Sequence, residues 1–241
     1  MKTNQLFSTA LLMLALFISS GAEASLRNDG RQTRSVEEFH GISVSSGIDL
    51  YLTQKNIQEV RVEADEEDME NLITKVEGGI LKIYMKEKSW SWFNLGWSHS
   101  SRKVYVSFKT LDKLEASAGS DVVSQSALNL TNMELNASSG SDVKLELNAD
   151  RLNAVSSSGS DIKLTGKANY LQANASSAGD IDATDFQTKR CDASASSGSD
   201  LRVYATEQLD ANASSGADIA YWGNPARKNI NESSGGDVHN K

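Results

Sequence analysis

The chain has one cysteine, one proline and three histidines in 241 residues. A single cysteine, Cys191, excludes an internal disulfide framework and any zinc centre built on several thiolates. The histidines, His40, His99 and His239, are scattered with no motif around them, which leaves little for metal or triad chemistry. Basic residues are outnumbered, with 24 Lys and Arg against 32 Asp and Glu, for a formal charge of −8. Phosphate binding needs a basic field, so nucleic acid is not an expected partner. Long apolar runs are also scarce. The longest, residues 6–18, falls short of the roughly 20 residues that span a bilayer.

That run follows Lys2 and precedes Ala22-Glu23-Ala24. A positive start, a short apolar stretch and an A-x-A site make a secretory signal peptide, cut after Ala24. A transmembrane anchor is therefore not expected. No cysteine lies at the cut, so neither is a lipid anchor. The expected location is outside the cytoplasm: periplasm, outer surface or extracellular medium.

What the sequence does have is a repeat. The motif S-[SA]-[GA]-x-D occurs at 117–121, 138–142, 157–161, 176–180, 196–200, 214–218 and 233–237, with an earlier copy, SSGID, at 45–49. From Asp121 onward the aspartates are 21, 19, 19, 20, 18 and 19 residues apart. Low complexity does not explain this, because apolar residues keep fixed places around the motif. One residue after each Asp come Val122, Val143, Ile162, Ile181, Leu201, Ile219 and Val238. Five before the Gly, or before Ala178, come Leu114, Leu135, Ala154, Ala173, Ala193, Ala211 and Ile230. Seven before it come Met133, Leu152, Leu171, Cys191 and Leu209, which makes Cys191 a core thiol rather than a nucleophile. Spacing by two marks strands with one face inward.

A unit of about 19 residues cannot bury its own apolar face, but stacked units can. Two short strands per unit, joined at the SSGSD corner, predict an all-β chain: a parallel β-helix, a single-stranded solenoid of about 19 residues per coil. Leucine-rich repeats share the period, but their Leu-x-x-Leu-x-Leu pattern is absent. The region before residue 110 is strand-rich too, and its strands look longer and more irregular. Gly78-Gly79 reads as a hairpin turn and 65–73 as a short acidic helix. The division expected is a signal peptide (1–24), an N-terminal β-rich lobe (25–110) and a C-terminal repeat lobe (111–241).

Two features carry candidate chemistry. The first is the aspartate ladder: Asp121, Asp142, Asp161, Asp180, Asp200, Asp218 and Asp237. Stacked coils would bring the carboxylates about 4.8 Å apart. One reading is that each Asp caps its own turn. The other is calcium bound between adjacent carboxylates; no other cofactor is expected. The second is SWSWFNLGW, with Trp90, Trp92, Phe93 and Trp97 in a loop between strand patterns. It is either a plug over a strand edge or an exposed platform for a sugar or protein. Regular, equivalent carboxylates offer no distinguished acid–base pair, so an enzyme is not expected. The competing reading is a polysaccharide-cleaving β-helix enzyme.

The order of six motifs carries a family resemblance. EFHGISVSSGIDLYLTQ (38–54), EVRVEAD (59–65) and EGGILKIYMK (77–86) are followed by the Ser-Gly-Ser-Asp ladder, YWGNP (221–225) and SSGGDV (233–238). Together they resemble the head-GIN-domain family of exported bacterial autotransporter adhesins, over nearly the whole mature chain. The resemblance implies a right-handed parallel β-helix in one or two lobes, and no established catalytic residues. No β-barrel follows the repeat, so self-transport is not implied. The function expected is an adhesin-like or scaffold protein of the cell envelope. It would bind a glycan or protein through the aromatic loop, with homo-oligomers formed edge to edge as a further expectation.

Overall fold

The computed structural model describes residues 30–86 and 101–241. Strand makes up about 68% and helix 3%, wound into a β-solenoid of about seven turns of roughly 19 residues.

The N-terminal strands are β1 (Arg31–Arg34), β2 (Gly41–Val44), β3 (Asp49–Gln54) and β4 (Glu59–Glu63). After the six-residue acidic helix α1 (Glu66–Asn71) come β5 (Leu72–Glu77), β6 (Ile80–Met85), β7 (Lys103–Phe108), β8 (Lys113–Ala116) and β9 (Asp121–Ser124). At four to six residues each, they are shorter than the repeat strands between Leu128 and Ser214, which run to 10 to 17 residues, not longer as the sequence suggested. Their spatial order differs from their chain order. β2 lies between β6 and β8, and β3 lies between β7 and β9, all parallel. The β2–β3 coil is thus sandwiched between a later coil on each side. Beyond β6 and β7 the parallel stack stops. β5 folds back antiparallel on β6 through the predicted Gly78-Gly79 hairpin, β4 lies antiparallel on β7, and β1 lies on β4. These strands cover edges that would otherwise be open.

The repeat continues as β10 (Leu128–Ala137), β11 (Asp142–Ser157), β12 (Asp161–Ser176), β13 (Asp180–Ser196), β14 (Asp200–Ser214), β15 (Asp218–Trp222), β16 (Arg227–Ser233) and β17 (Asp237–Asn240). All pair in parallel. The expected two short strands per unit are one continuous strand of 15 to 17 residues in β11 to β14. Only the serine corner interrupts pairing fully. The second bend is softer: in β11 the strict in–out alternation slips at Ala149-Asp150-Arg151, and Asp150 drops out of the ladder with β12.

The predicted columns form the core. Val143, Ile162, Ile181, Leu201, Ile219 and Val238 stack in register, as do Met133, Leu152, Leu171, Cys191 and Leu209. All are buried, in one apolar cluster running through the described residues. Burial pushes the Cys191 thiol far above its ordinary range, so it stays protonated and unreactive. Ile230 departs from the prediction. It occupies the inward column but is 39% exposed, because among the described residues nothing stacks on the outer side of its coil.

Candidate binding surfaces

Each serine corner turns the chain on two consecutive residues with positive φ. Ser139 and Gly140 have φ of 55° and 69°, Ser158 and Gly159 57° and 70°, Ser197 and Gly198 58° and 66°. Two left-handed residues in a row make the tightest reversal available to a strand. Glycine takes the second place because it adopts this conformation without penalty. The corners are zipped to one another. The Gly140 N–H donates to the Ser158 carbonyl and the Gly159 N–H to the Ser177 carbonyl, both at 3.2 Å.

The fourth residue of the motif points inward, and the sequence reading missed its role. Ser120, Ser141, Ser160 and Ser199 are fully buried. Ser141 Oγ accepts the Ser138 N–H at 3.1 Å and donates to the Ala116 carbonyl of the preceding coil at 3.0 Å. Ser160 and Ser199 repeat the pattern on Ser157 and Ala137, and on Ser196 and Ala175. Where this place is Gly179, Ala217 or Gly236, its own N–H closes the turn instead, onto Ser176, Ser214 or Ser233. Turn capping is therefore done by the buried serine or by the backbone. It is not done by the aspartate, as one reading of the sequence had it.

The aspartates do stand in file. Asp49, Asp121, Asp142, Asp161 and Asp180 are successive register partners, as are Asp200, Asp218 and Asp237. Asp180 Oδ1 accepts the Asp200 N–H at 2.7 Å and joins the two runs. Lys103 stands next to Asp49 at one end of the file, and Arg202 and His239 lie 3.2 Å and 3.1 Å from Asp200 and Asp237. Burial, then the like charges of Asp142 and Asp49, raises the Asp121 carboxyl above the usual range; burial with Asp142 and Asp180 does the same to Asp161. Among the described residues no three His, Cys, Asp or Glu side chains form a group that could hold a metal ion.

Trp90, Trp92, Phe93 and Trp97 lie outside the described residues. The flanks of their segment are placed. β6 and β7 form one coil, so the segment leaves and returns where other coils have the serine corner. Arg102 anchors the return: Nε reaches Asp68 Oδ2 at 2.7 Å, and Nη1 reaches the Ser46 carbonyl at 3.5 Å. Asp68 is buried on α1.

A trough runs along the second bend, the other side of each coil. Its more voluminous part, about 460 Å³, has Leu130, Ala149, Ala168 and Thr188 in its lining, in register from coil to coil. One wall is the parallel row Asn129, Asn148, Lys167 and Gln187; Asn169, Lys189 and Glu207 form the other. A second depression of about 280 Å³ shares Asn129 and Leu130 with it and extends it to His40 and Asp112. Gln54 fixes the junction, accepting the Asn129 N–H at 2.7 Å and donating to the Asn129 carbonyl at 2.9 Å. Asn148 Nδ2 donates to Asn129 Oδ1 at 3.1 Å, so adjacent amides in the row hold each other's orientation.

A stacked β-solenoid with this motif order matches the family model "Putative auto-transporter adhesin, head GIN domain" over residues 38–225. The chain belongs to that family. Solved structures share its fold. A putative adhesin from Bacteroides fragilis superposes with a TM-score of 0.81 at 20% identity, covering 88% of this chain and 96% of its own. A putative adhesin from Parabacteroides distasonis gives 0.69 at 20%, covering 88% and 96%. A putative lipid binding protein from Parabacteroides distasonis gives 0.68 at 24%, covering 89% and 98%. No curated protein matches the chain. Among the described residues no helix is long and apolar enough to cross a membrane.

Proposed function

We propose that this chain is an exported, non-enzymatic adhesin of the bacterial cell envelope, and that its ligand is a glycan. The trough is the observation that carries this reading. Amide side chains both donate and accept hydrogen bonds, as sugar hydroxyls do. Here Asn129, Asn148 and Gln187 stand in one row, with Lys167 between the last two, on coils about 4.8 Å apart, which suits a chain molecule with a short polar repeat lying along the solenoid axis. From Leu130 to Thr206 the trough covers about four such steps, about 19 Å. The aromatic residues Trp90, Trp92, Phe93 and Trp97 supply a second contact, since flat rings stack on sugar faces. A lipid ligand fits less well. Among the described residues only Ile57 and Ile230 are large exposed hydrophobic side chains, and the core columns are filled.

The test is binding of purified protein to a set of soluble neutral and acidic polysaccharides, followed by two variants. One replaces Asn129, Asn148 and Gln187 with alanine; the other replaces the four aromatic residues. The reading expects binding without cleavage, weakened by either variant. Binding indifferent to both, or polysaccharide turnover, removes it.

A further inference from the structure

The two ends of the solenoid are finished differently. At the β6–β7 end, β5 and β4 lie antiparallel on the last parallel coil. At the other end β16 pairs with β14 on one side, and among the described residues no strand pairs with its outer edge. All seven residues of β16 are exposed.

The inward positions of β16 have changed chemistry. Lys228, Ile230 and Glu232 stand in register with Leu209, Ala211 and Ala213, which are buried. One inward lysine would be enough to protect an edge from pairing. Here a lysine and a glutamate flank an isoleucine symmetrically, and that order has a specific consequence. Laid antiparallel against a second copy of itself and centred on Ile230, the strand RKNINES is self-complementary. Ile230 meets Ile230, and Lys228 meets Glu232 twice. Asn229 meets Asn231 twice. Directly opposed residues share a face, so the isoleucine pair and both ion pairs fall on the inward side and continue the core across the junction. A shift by two residues puts Ile230 opposite a charge, and a shift by four puts like charges face to face. The pattern therefore selects one register.

Two further observations fit this arrangement. Glu232 Oε1 accepts the Val238 N–H at 2.9 Å, which holds the carboxylate in place and leaves Oε2 for a lysine. The other end already shows that these coils accept antiparallel neighbours. We infer that two copies of the chain pair through β16 as a two-fold dimer, with Lys228 of each on Glu232 of the other.

Sedimentation velocity of the purified protein over a range of concentrations tests this, with folding of each variant checked by circular dichroism. The wild type is expected to dimerise. Lys228→Glu and Glu232→Lys should each weaken self-association by about tenfold or more, since each sets like charges opposite. The double variant Lys228→Glu/Glu232→Lys, which exchanges the charges, should restore it. A wild type monomeric throughout, a dimer unmoved by either single reversal, or a double variant that stays monomeric overturns the inference.

Discussion

Ser160 joins two coils: its hydroxyl donates to the Ala137 carbonyl at 2.9 Å and accepts the Ser157 N–H at 3.1 Å. Ser156 Oγ lies 2.8 Å away and completes a buried hydroxyl cluster. Removing the hydroxyl takes a buried partner from the Ser157 N–H and from the Ala137 carbonyl. Ser160→Ala should cost about 1–3 kcal/mol in urea unfolding. A loss below about 0.5 kcal/mol would mean that the corner closes through its backbone, as it does at Ala217.

One corner departs from the glycine rule. Ala178 takes the second left-handed place, at φ 58°, directly after Ser177 at 52°. Ala178→Gly should therefore stabilise the protein by about 1 kcal/mol, and Gly140→Ala should destabilise it by a similar amount. A Cβ on Gly140 would meet nothing within 4 Å, so the second change reads conformation alone. Melting curves of the two variants should move in opposite directions.

The carboxylates give a pH dependence of two signs. Asp121 and Asp161 have raised values in the folded state, so the native protein binds more protons than the unfolded chain just above pH 3.8. Their contribution becomes more favourable as pH falls from neutral through those raised values. Glu77 behaves in the opposite way. Lys75 and Lys82, each 2.6 Å away, hold it down to about 2, so its contribution is present above 4.5 and is lost as pH falls towards 2. Asp161→Asn should raise Tm at neutral pH and shrink the gain on mild acidification. Glu77→Gln should shrink the loss below pH 4.5. An acid profile unchanged in both variants would contradict this assignment.

Calcium is the remaining reading of the aspartate file. Each coil contributes one carboxylate, and no larger acidic cluster forms among the described residues. Added calcium should leave Tm where an equal ionic strength of magnesium leaves it. A calcium-specific rise, reversed by a chelator, would show that neighbouring aspartates do share an ion.

Much of this architecture was legible because its cause is local and repeated. A residue that recurs every 19 or so positions must fill the same environment each time, so the columns through Val143 and Leu152 could be read directly. Cys191 followed from its neighbours Leu171 and Leu209. Ile230 did not, because periodicity cannot say which copy is last. The buried serine of the corner takes the capping role expected of the aspartate, for a related reason. Both residue types cap turns, and which one points inward depends on the paired positive φ values, which the composition does not reveal. The order of the N-terminal coils was hidden as well. That β6 and β7 stack outside β2 and β3 is decided by edge pairing between residues 39 and 54 positions apart, not by any local pattern. The trough was overlooked because its wall residues, Asn129, Asn148, Lys167 and Gln187, looked like ordinary outward positions until stacking placed them in a row.

The stacking itself is tested most directly by cross-linking neighbouring coils. Lys144 and Lys163 are register partners on β11 and β12. Cysteines there would have Cα atoms at the spacing of adjacent strands, about 4.8 Å, within the range a disulfide spans. Buried Cys191 would not compete. Under mild oxidation Lys144→Cys/Lys163→Cys should form an intramolecular disulfide, seen as a mobility shift lost on reduction. Lys144→Cys/Lys167→Cys, four residues out of register, should remain reduced. The reverse result would contradict a solenoid whose serine corners stand in file.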